Sequence, residues 1–286
     1  MTYAIRITDP ARGRTFLVSP EKGAHMRLLE DGLNGFGATE LFVETEPYAD
    51  GSGGHPVNRR FGERHLSLTG ELVGDEGELR RLLCSMLDPK ETLEMEITLG
   101  AVTRCIGVIP CGKPRFHQAN FYTPTEVYLP FVAPDPFFRD AVSREVHFRN
   151  TTPLFTFPLN FMAGAGMTPS LYRTTETALV VNPGDADCGL VAQLTARGGA
   201  VVNPAICLGE RYIRLQTTLA DGETAQIDTR PRCKDLTIDG VRSFTFHRDS
   251  DFFLLAVGEN TVQVTAETGL ANLSVQLAYT PLYYGI

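Results

Sequence analysis

Apolar and polar side chains alternate through Arg64–Leu72, with Leu66, Leu68 and Leu72 on one face and His65, Ser67, Thr69 and Glu71 on the other. Side chains repeat at a period of two only on an extended chain, so the run predicts an antiparallel strand with one wet and one dry face. Residues 91–99 repeat the pattern, with Leu93, Met95, Ile97 and Leu99 opposed to Glu94, Glu96 and Thr98. One segment carries helical spacing instead: Leu79, Leu82, Leu83, Met86 and Leu87 form a single apolar stripe. Asp75 is placed to cap its start, with Glu78 three residues on, and Asp88-Pro89 to stop it. The first half therefore reads as strands, one short helix and further strands.

Residues 129–132 are the last strand-like run before Ala133-Pro134-Asp135-Pro136. Two prolines at alternate positions cannot donate to a central ladder, so the chain is expected to leave its sheet there. The stretch that follows holds Thr151-Thr152-Pro153 and Ala163-Gly164-Ala165-Gly166, which puts a domain junction between about residues 135 and 170. With 286 residues, at roughly 150 per domain, two domains are expected, drawn as 1–145 and 146–286. In the second, Asp221-Gly222 between 211–219 and 224–228, and Asp239-Gly240 between 234–238 and 241–246, predict hairpins. Leu273, Val275, Leu277 and Tyr279 alternate again near the end. Short strands separated by such turns predict a β-sandwich. The fold class is mainly β, between all-β and α+β.

Composition enters where function is concerned. Lys and Arg number 26 against 34 Asp and Glu, a balance of −8 spread over both halves, which argues against a protein built to grip nucleic-acid phosphates. No apolar run approaches the ~20 residues of a membrane span, and residues 1–10 lack the apolar segment of a signal peptide. The six cysteines, at 84, 105, 111, 188, 207 and 233, form no Cys-x-x-Cys; they are expected to be reduced and mostly buried.

Motifs for catalysis are missing. The sequence holds no Gly-x-Ser-x-Gly elbow, no His-Glu-x-x-His, no Walker loop and no dinucleotide fingerprint. Asp50-Gly51-Ser52-Gly53-Gly54-His55 is glycine-rich like a phosphate loop, but no Gly-Lys-Ser/Thr follows, and a hairpin tip explains it better. Glu94 and Glu96 share a strand face as a glycosidase acid and base might, yet alternation with Met95 and Ile97 makes that face simply the wet one. Asn182, Asp185 and Asp187 could offer oxygens to Ca²⁺, but Asn182-Pro183-Gly184-Asp185 is also a strong turn on backbone grounds. A sandwich of this kind could bind a host polysaccharide as a lectin. With no Trp in the chain, Tyr or Phe would have to supply the platform. No catalytic residue, cofactor or metal site is expected.

Several segments together resemble the distal tail proteins of long-tailed bacteriophages, the siphovirus-type tail component family. In the first half these are the strand around Leu68 and Gly70, the helix end at Asp88-Pro89, and Leu129-Pro130-Phe131-Val132-Ala133-Pro134-Asp135-Pro136-Phe137-Phe138. In the second half they are Val181-Asn182-Pro183-Gly184-Asp185-Ala186, Val202-Asn203-Pro204-Ala205-Ile206, Ile213-Arg214-Leu215, Gly222-Glu223 and Ile227-Asp228-Thr229. Leu255-Ala256-Val257-Gly258-Glu259-Asn260 and a terminal Tyr279-Thr280-Pro281-Leu282-Tyr283-Tyr284-Gly285-Ile286 complete the set. Cys188-Gly189 departs from the apolar or proline-containing lead into the next strand that the family shows.

The resemblance implies a split-barrel-like or sandwich ring domain followed by a galectin-like β-sandwich. It also implies a structural role. Six subunits would form a ring at the distal tail tip of the virion, between the tail tube protein and the baseplate or host-adhesion proteins. DNA would pass through the lumen without specific binding, and an acidic lumen would suit that passage. A ring needs a heterologous interface. The polar, glycine-rich stretch at residues 46–62, with Asp50, Gly51, Gly53 and Gly54 at its tip, is the expected inter-subunit arm.

Overall fold

The alternating runs are strands in the computed structural model, which describes residues 3–120, 122–153, 170–174 and 176–286. The Ala163-Gly164-Ala165-Gly166 stretch of the expected junction lies outside them. By its contacts the chain divides into Met1–Ala141 with Leu282–Ile286, and Val142–Pro281.

The first unit contains β1 (Tyr3–Asp9), β2 (Arg14–Val18), β3 (Met26–Asn34), β4 (Leu41–Pro47), β5 (Gly54–Phe61), β6 (Arg64–Leu72), α1 (Glu76–Met86), β7 (Leu93–Leu99), β8 (Val102–Pro110), β9 (Arg115–His117), β10 (Glu126–Ala133) and β11 (Phe138–Asp140). The second contains β12 (Arg144–His147), β13 (Arg149–Pro153), β14 (Ser170–Thr174), β15 (Thr177–Asn182), β16 (Leu190–Ala196), β17 (Val201–Val202), β18 (Ala205–Leu208), β19 (Arg211–Arg214), β20 (Thr218–Leu219), β21 (Thr224–Asp228), β22 (Asp235–Ile238), β23 (Val241–Arg242), β24 (Gly258–Thr265) and β25 (Leu273–Tyr279). A last strand, β26 (Leu282–Tyr283), belongs to the first unit.

In the first unit the ladder runs β8-β7-β1-β2-β3-β6-β10, and a further pairing of β8 with β10 closes it into a barrel. Closure removes the open edges a flat sheet would leave to aggregation. The dry faces supply the filling: Ile5, Ile7, Phe16, Leu66, Leu68, Met95, Ile97, Leu129 and Phe131 are all buried. Gly70 is required where β6 crosses β3, because a Cβ there would lie 2.2 Å from the Arg27 carbonyl oxygen.

The helix forms as its sequence predicts. Asp75 accepts the Glu78 N–H at 3.0 Å, satisfying one of the unpaired amides of the first turn. Leu79, Leu83 and Met86 are buried in the barrel core, worth about 1.5–3 kcal/mol each. Arg12 and Arg14 both reach the Ser85 carbonyl, at 3.1 and 3.3 Å, at the negative end of the helix dipole.

Three sequence expectations need correction. The chain does not leave its sheet for good after Ala133: the prolines occupy a four-residue connection, and β11 rejoins the same sheet beside β8, with Arg139 opposite Cys105. Asp221-Gly222 does turn the chain, but not as a hairpin, because β20 pairs with β17 while β21 pairs with β16 and β22. The presumed single strand at 211–219 is broken where Leu215 and Gln216 bond instead to Pro204 and Thr245. The cysteines, finally, are not mostly buried: Cys105 and Cys188 are, Cys84 and Cys233 are exposed, and Cys111 and Cys207 lie between.

The second unit sets a six-stranded sheet (β12-β25-β16-β21-β22-β23) and a four-stranded one (β15-β24-β18-β19) beside smaller ribbons. Alternate residues are buried in both, including Leu273, Val275 and Leu277 in the larger and Val262 and Val264 in the smaller. Tyr279 of β25 donates its hydroxyl to the Val181 carbonyl of β15 at 2.9 Å, tying one sheet to the other. Asp239-Gly240 makes the hairpin its sequence predicts, with φ of 48° and 79° and Ile238 opposite Val241.

Candidate functional site

The candidate catalytic groups do not assemble. Glu94 and Glu96 stay on the outer face of β7, where Glu96 pairs with Arg6 of β1 at 3.2 Å, directly across the ladder. Among the described residues no three His, Cys, Asp or Glu side chains come together as a metal would need. Asn182 is buried, and its side chain works as a turn brace. It donates to the Ala186 and Leu255 carbonyls at 3.0 and 3.2 Å and accepts the Gly184 N–H at 3.0 Å. Asp185 and Asp187 are exposed. Cys188 is buried and bridges Leu255, so it fills the apolar position its sequence seemed to lack; burial pushes its thiol up to about 12.

The other motif residues are spread over both units as backbone fixtures. Leu68 is a core residue of β6. Asp88, beside Pro89, accepts the Lys90 N–H, which holds its carboxyl below the usual range, and also pairs with Arg12. Pro134 and Asp135 are exposed, while Pro136 is buried. Asn203 takes a left-handed φ of 49° and donates to Glu267 at 2.6 Å, and the Pro204 carbonyl receives Leu215. Asp228 is clasped by the Arg230 guanidinium at 2.6 Å. Asn260 holds the Ala256 and Gly258 carbonyls at 2.7 and 3.0 Å, with Gly258 at a φ of 91°.

One side chain that sequence reasoning missed organises the barrel rim. Arg64 is buried, although it is charged, because it begins β6 on the dry face, in register with Leu66 and Leu68. Its guanidinium donates to the Pro136 carbonyl at 2.7 Å, to those of Gly35 and Gly37 at 2.8 Å each, and to that of Tyr284. It also lies over the Phe138 ring at 4.6 Å, and burial lowers its pKa. The signal was present: an Arg at an inward position of an alternating strand needs a partner set.

Above that rim stands the ribbon β4–β5. Every residue from Leu41 to Phe61 is exposed, including Leu41, Val43, Tyr48 and Val57. The ribbon starts five residues before the 46–62 stretch that its glycines suggested. At the tip Tyr48 and Gly53 close the turn at 2.9 Å, Gly51 and Gly53 take positive φ, and Asp50 accepts the Ser52 N–H, which lowers its carboxyl pKa. Gly54 lies so close to β4 that a Cβ would meet the Glu46 carbonyl at 2.5 Å. The root is anchored, since Phe61 stacks on Tyr284 and meets Phe137 edge-on, with ring centroids 5.2 and 5.1 Å away.

Residues 183–283 match the family described as siphovirus-type tail component, C-terminal domain. No curated protein matches the sequence. Among solved structures, the Dit (gp 19.1) protein of phage SPP1 is similar over 99% of both chains, with a TM-score of 0.67 and 12% identity; it is described as a paradigm of the hub adsorption apparatus in phages that infect Gram-positive bacteria. A chain of the phage P2 baseplate in its Ca-activated conformation is similar over 98% of both chains, with a TM-score of 0.53 and 10% identity. Residues 183–283 are thus similar to the siphovirus-type tail component C-terminal domain, and the whole chain has the fold of the SPP1 Dit protein.

Proposed function

We propose that this protein is a structural hub of the distal phage tail. In this reading its first unit packs with copies of itself into a ring, of six subunits by family resemblance. The ring joins the tail tube to baseplate or host-adhesion proteins at the tip of the virion and lets DNA pass without gripping it. The observation that carries the reading is the likeness to the SPP1 hub protein along 99% of both chains, so that both units occur in the same order.

The β4–β5 ribbon supports the ring. An isolated two-stranded ribbon is marginal in water, and this one leaves Leu41, Val43, Tyr48 and Val57 exposed along a long arm. A neighbouring copy would cover it through a heterologous contact, which closes rings. The balance of −8 suits a conduit for DNA.

Light scattering with negative-stain images tests the reading. Rings near ~190 kDa, about six chains of 31.4 kDa, are expected for the intact protein. A variant with residues 42–60 replaced by a short turn is expected to remain folded and monomeric. Rings that form equally well without the ribbon refute its role. Failure of the full chain to form rings, even with tail tube protein added, refutes the hub.

A further inference from the structure

The second unit contains a cleft of about 540 Å³, within the range of small-ligand sites, lined by Ala266 and by six polar residues, Asn203, Arg214, Gln216, His247, Thr265 and Glu267. Backbone hydrogen bonds hold its walls. Asn203 donates to Thr217 at 3.0 Å, Gln216 to Thr245 at 2.7 Å, His247 to Arg214 at 2.8 Å and Glu267 to Val202 at 3.0 Å. Four separate stretches of chain are therefore locked around it, which is how a preorganised site is built.

The charges in the cleft are unequal in their commitments. The Glu267 carboxylate is engaged through one oxygen by the Asn203 amide at 2.6 Å. Arg214 is exposed, stands 5.2 Å above the Tyr212 ring, and pairs with no carboxylate among the described residues. His247 receives the Asp249 N–H on Nδ1 at 3.3 Å, with the Tyr212 hydroxyl 3.4 Å from the same atom, which leaves Nε2 as its second polar atom. Among the described residues the uncommitted groups are thus a guanidinium fork, an imidazole nitrogen, the Gln216 amide and the Thr265 hydroxyl, with the second oxygen of Glu267 as acceptor.

We infer that this cleft binds an acidic saccharide unit, with its carboxylate or phosphate on Arg214 and its hydroxyls on Gln216, Thr265 and the free Glu267 oxygen. A guanidinium matches either anion through paired N–H donors. Hydroxyls both donate and accept, and a mixed set of amide, hydroxyl and carboxylate groups answers them. Among the described residues no Tyr or Phe lines the cleft, so the acidic group and the hydroxyls carry recognition, and stacking on an aromatic platform does not. The inference goes beyond the hub role and holds for single chain or ring alike.

The test is calorimetric titration of the full chain with trigalacturonate, glucose 6-phosphate, maltotriose and inorganic phosphate. Saturable binding of at least one acidic sugar is expected, at least about tenfold tighter than maltotriose and than phosphate alone. Preference for trigalacturonate identifies a uronic acid, and preference for glucose 6-phosphate a sugar phosphate. Arg214→Met is expected to lose about tenfold or more, with Arg214→Lys between. Because Arg214 enters the fold through its backbone bonds to Ser250 and His247, both variants are expected to melt with wild type. Phosphate binding as tightly as the better-bound acidic sugar shows an adventitious ion only and overturns the inference. So do equal binding of maltotriose, no binding of either acidic sugar, and an Arg214→Met variant with unchanged affinity.

Discussion

Replacing Arg64 by Met removes the donor from four backbone carbonyls at once, those of Gly35, Gly37, Pro136 and Tyr284. Hydrogen bonds to a charged group are worth about 1.5–3 kcal/mol each, so the gross loss is on the order of 6–12 kcal/mol. Against this, wild type bears the cost of burying a guanidinium that pairs with no carboxylate among the described residues, which Met escapes, and water entering the rim re-satisfies some carbonyls. A net loss of about 3–5 kcal/mol is expected, the size found when a buried charged network loses one member. At about 2–4 °C per kcal/mol for a unit of this size, the barrel should melt roughly 6–20 °C lower. Scanning calorimetry of the full chain reads this, and hydrogen exchange adds a local readout: amides of residues 282–286 should exchange faster in the variant than in wild type. Arg64→Lys keeps the charge without the fork and should fall between. An Arg64→Met barrel melting within about 3 °C of wild type, with the terminal amides still protected, would show that the carbonyls find other partners and that the network is dispensable.

Three further outcomes follow from the geometry. Asn182→Ala, which unbraces the 182–186 turn, should cost the second unit about 1–3 kcal/mol and speed protease cleavage within residues 183–187; unchanged cleavage would deny the brace. Asp75→Ala should cost the barrel about 1 kcal/mol through the lost helix cap, read as a shift in its melting temperature. Because burial pushes the Cys188 thiol up to about 12, it should stay unreactive toward a disulfide reagent at pH 8 while Cys84 and Cys233 react, and all six should react in denaturant. The native state holds that proton more tightly than the unfolded chain. The stability it contributes is therefore full below the unfolded thiol pKa near 8.5 and should fall as the pH rises from about 9 toward 12.

How far the sequence could be read depended on whether an interaction was local. Strands β6 and β7 and the helix are legible because alternation and capping are written into neighbouring residues: Leu66 and Leu68, Met95 and Ile97, Asp75 and Glu78. The Asp239-Gly240 hairpin is legible for the same reason. Asp221-Gly222 misleads because a turn dipeptide fixes the reversal of the chain and says nothing about which sheet the next strand joins. The return of β11 after Pro136 depends on Cys105, thirty-four residues back across the ladder, and on a terminal strand that nothing local announces. Asn182 was legible as a turn residue, but its bond to Leu255 across the fold was not. The cleft was least legible. Asn203, Arg214, His247 and Glu267 come from separate strands and turns, and no spacing links them.

Strands β11 and β26 are neighbours in the barrel's sheet, with Arg139 opposite Leu282 and Phe138 opposite Tyr283. The whole of Val142–Pro281 is therefore a loop of one antiparallel hairpin, an insertion whose two ends leave the barrel side by side. Such a module can be exchanged without breaking the host: any domain whose termini lie a strand spacing apart, ~5 Å, could be grafted between the same two residues. Bridging Ala141 to Leu282 with Asn-Gly should likewise leave a barrel that still forms the Arg64 clasp on Tyr284. The second unit can thus be changed wholesale while the barrel that carries it stays the same.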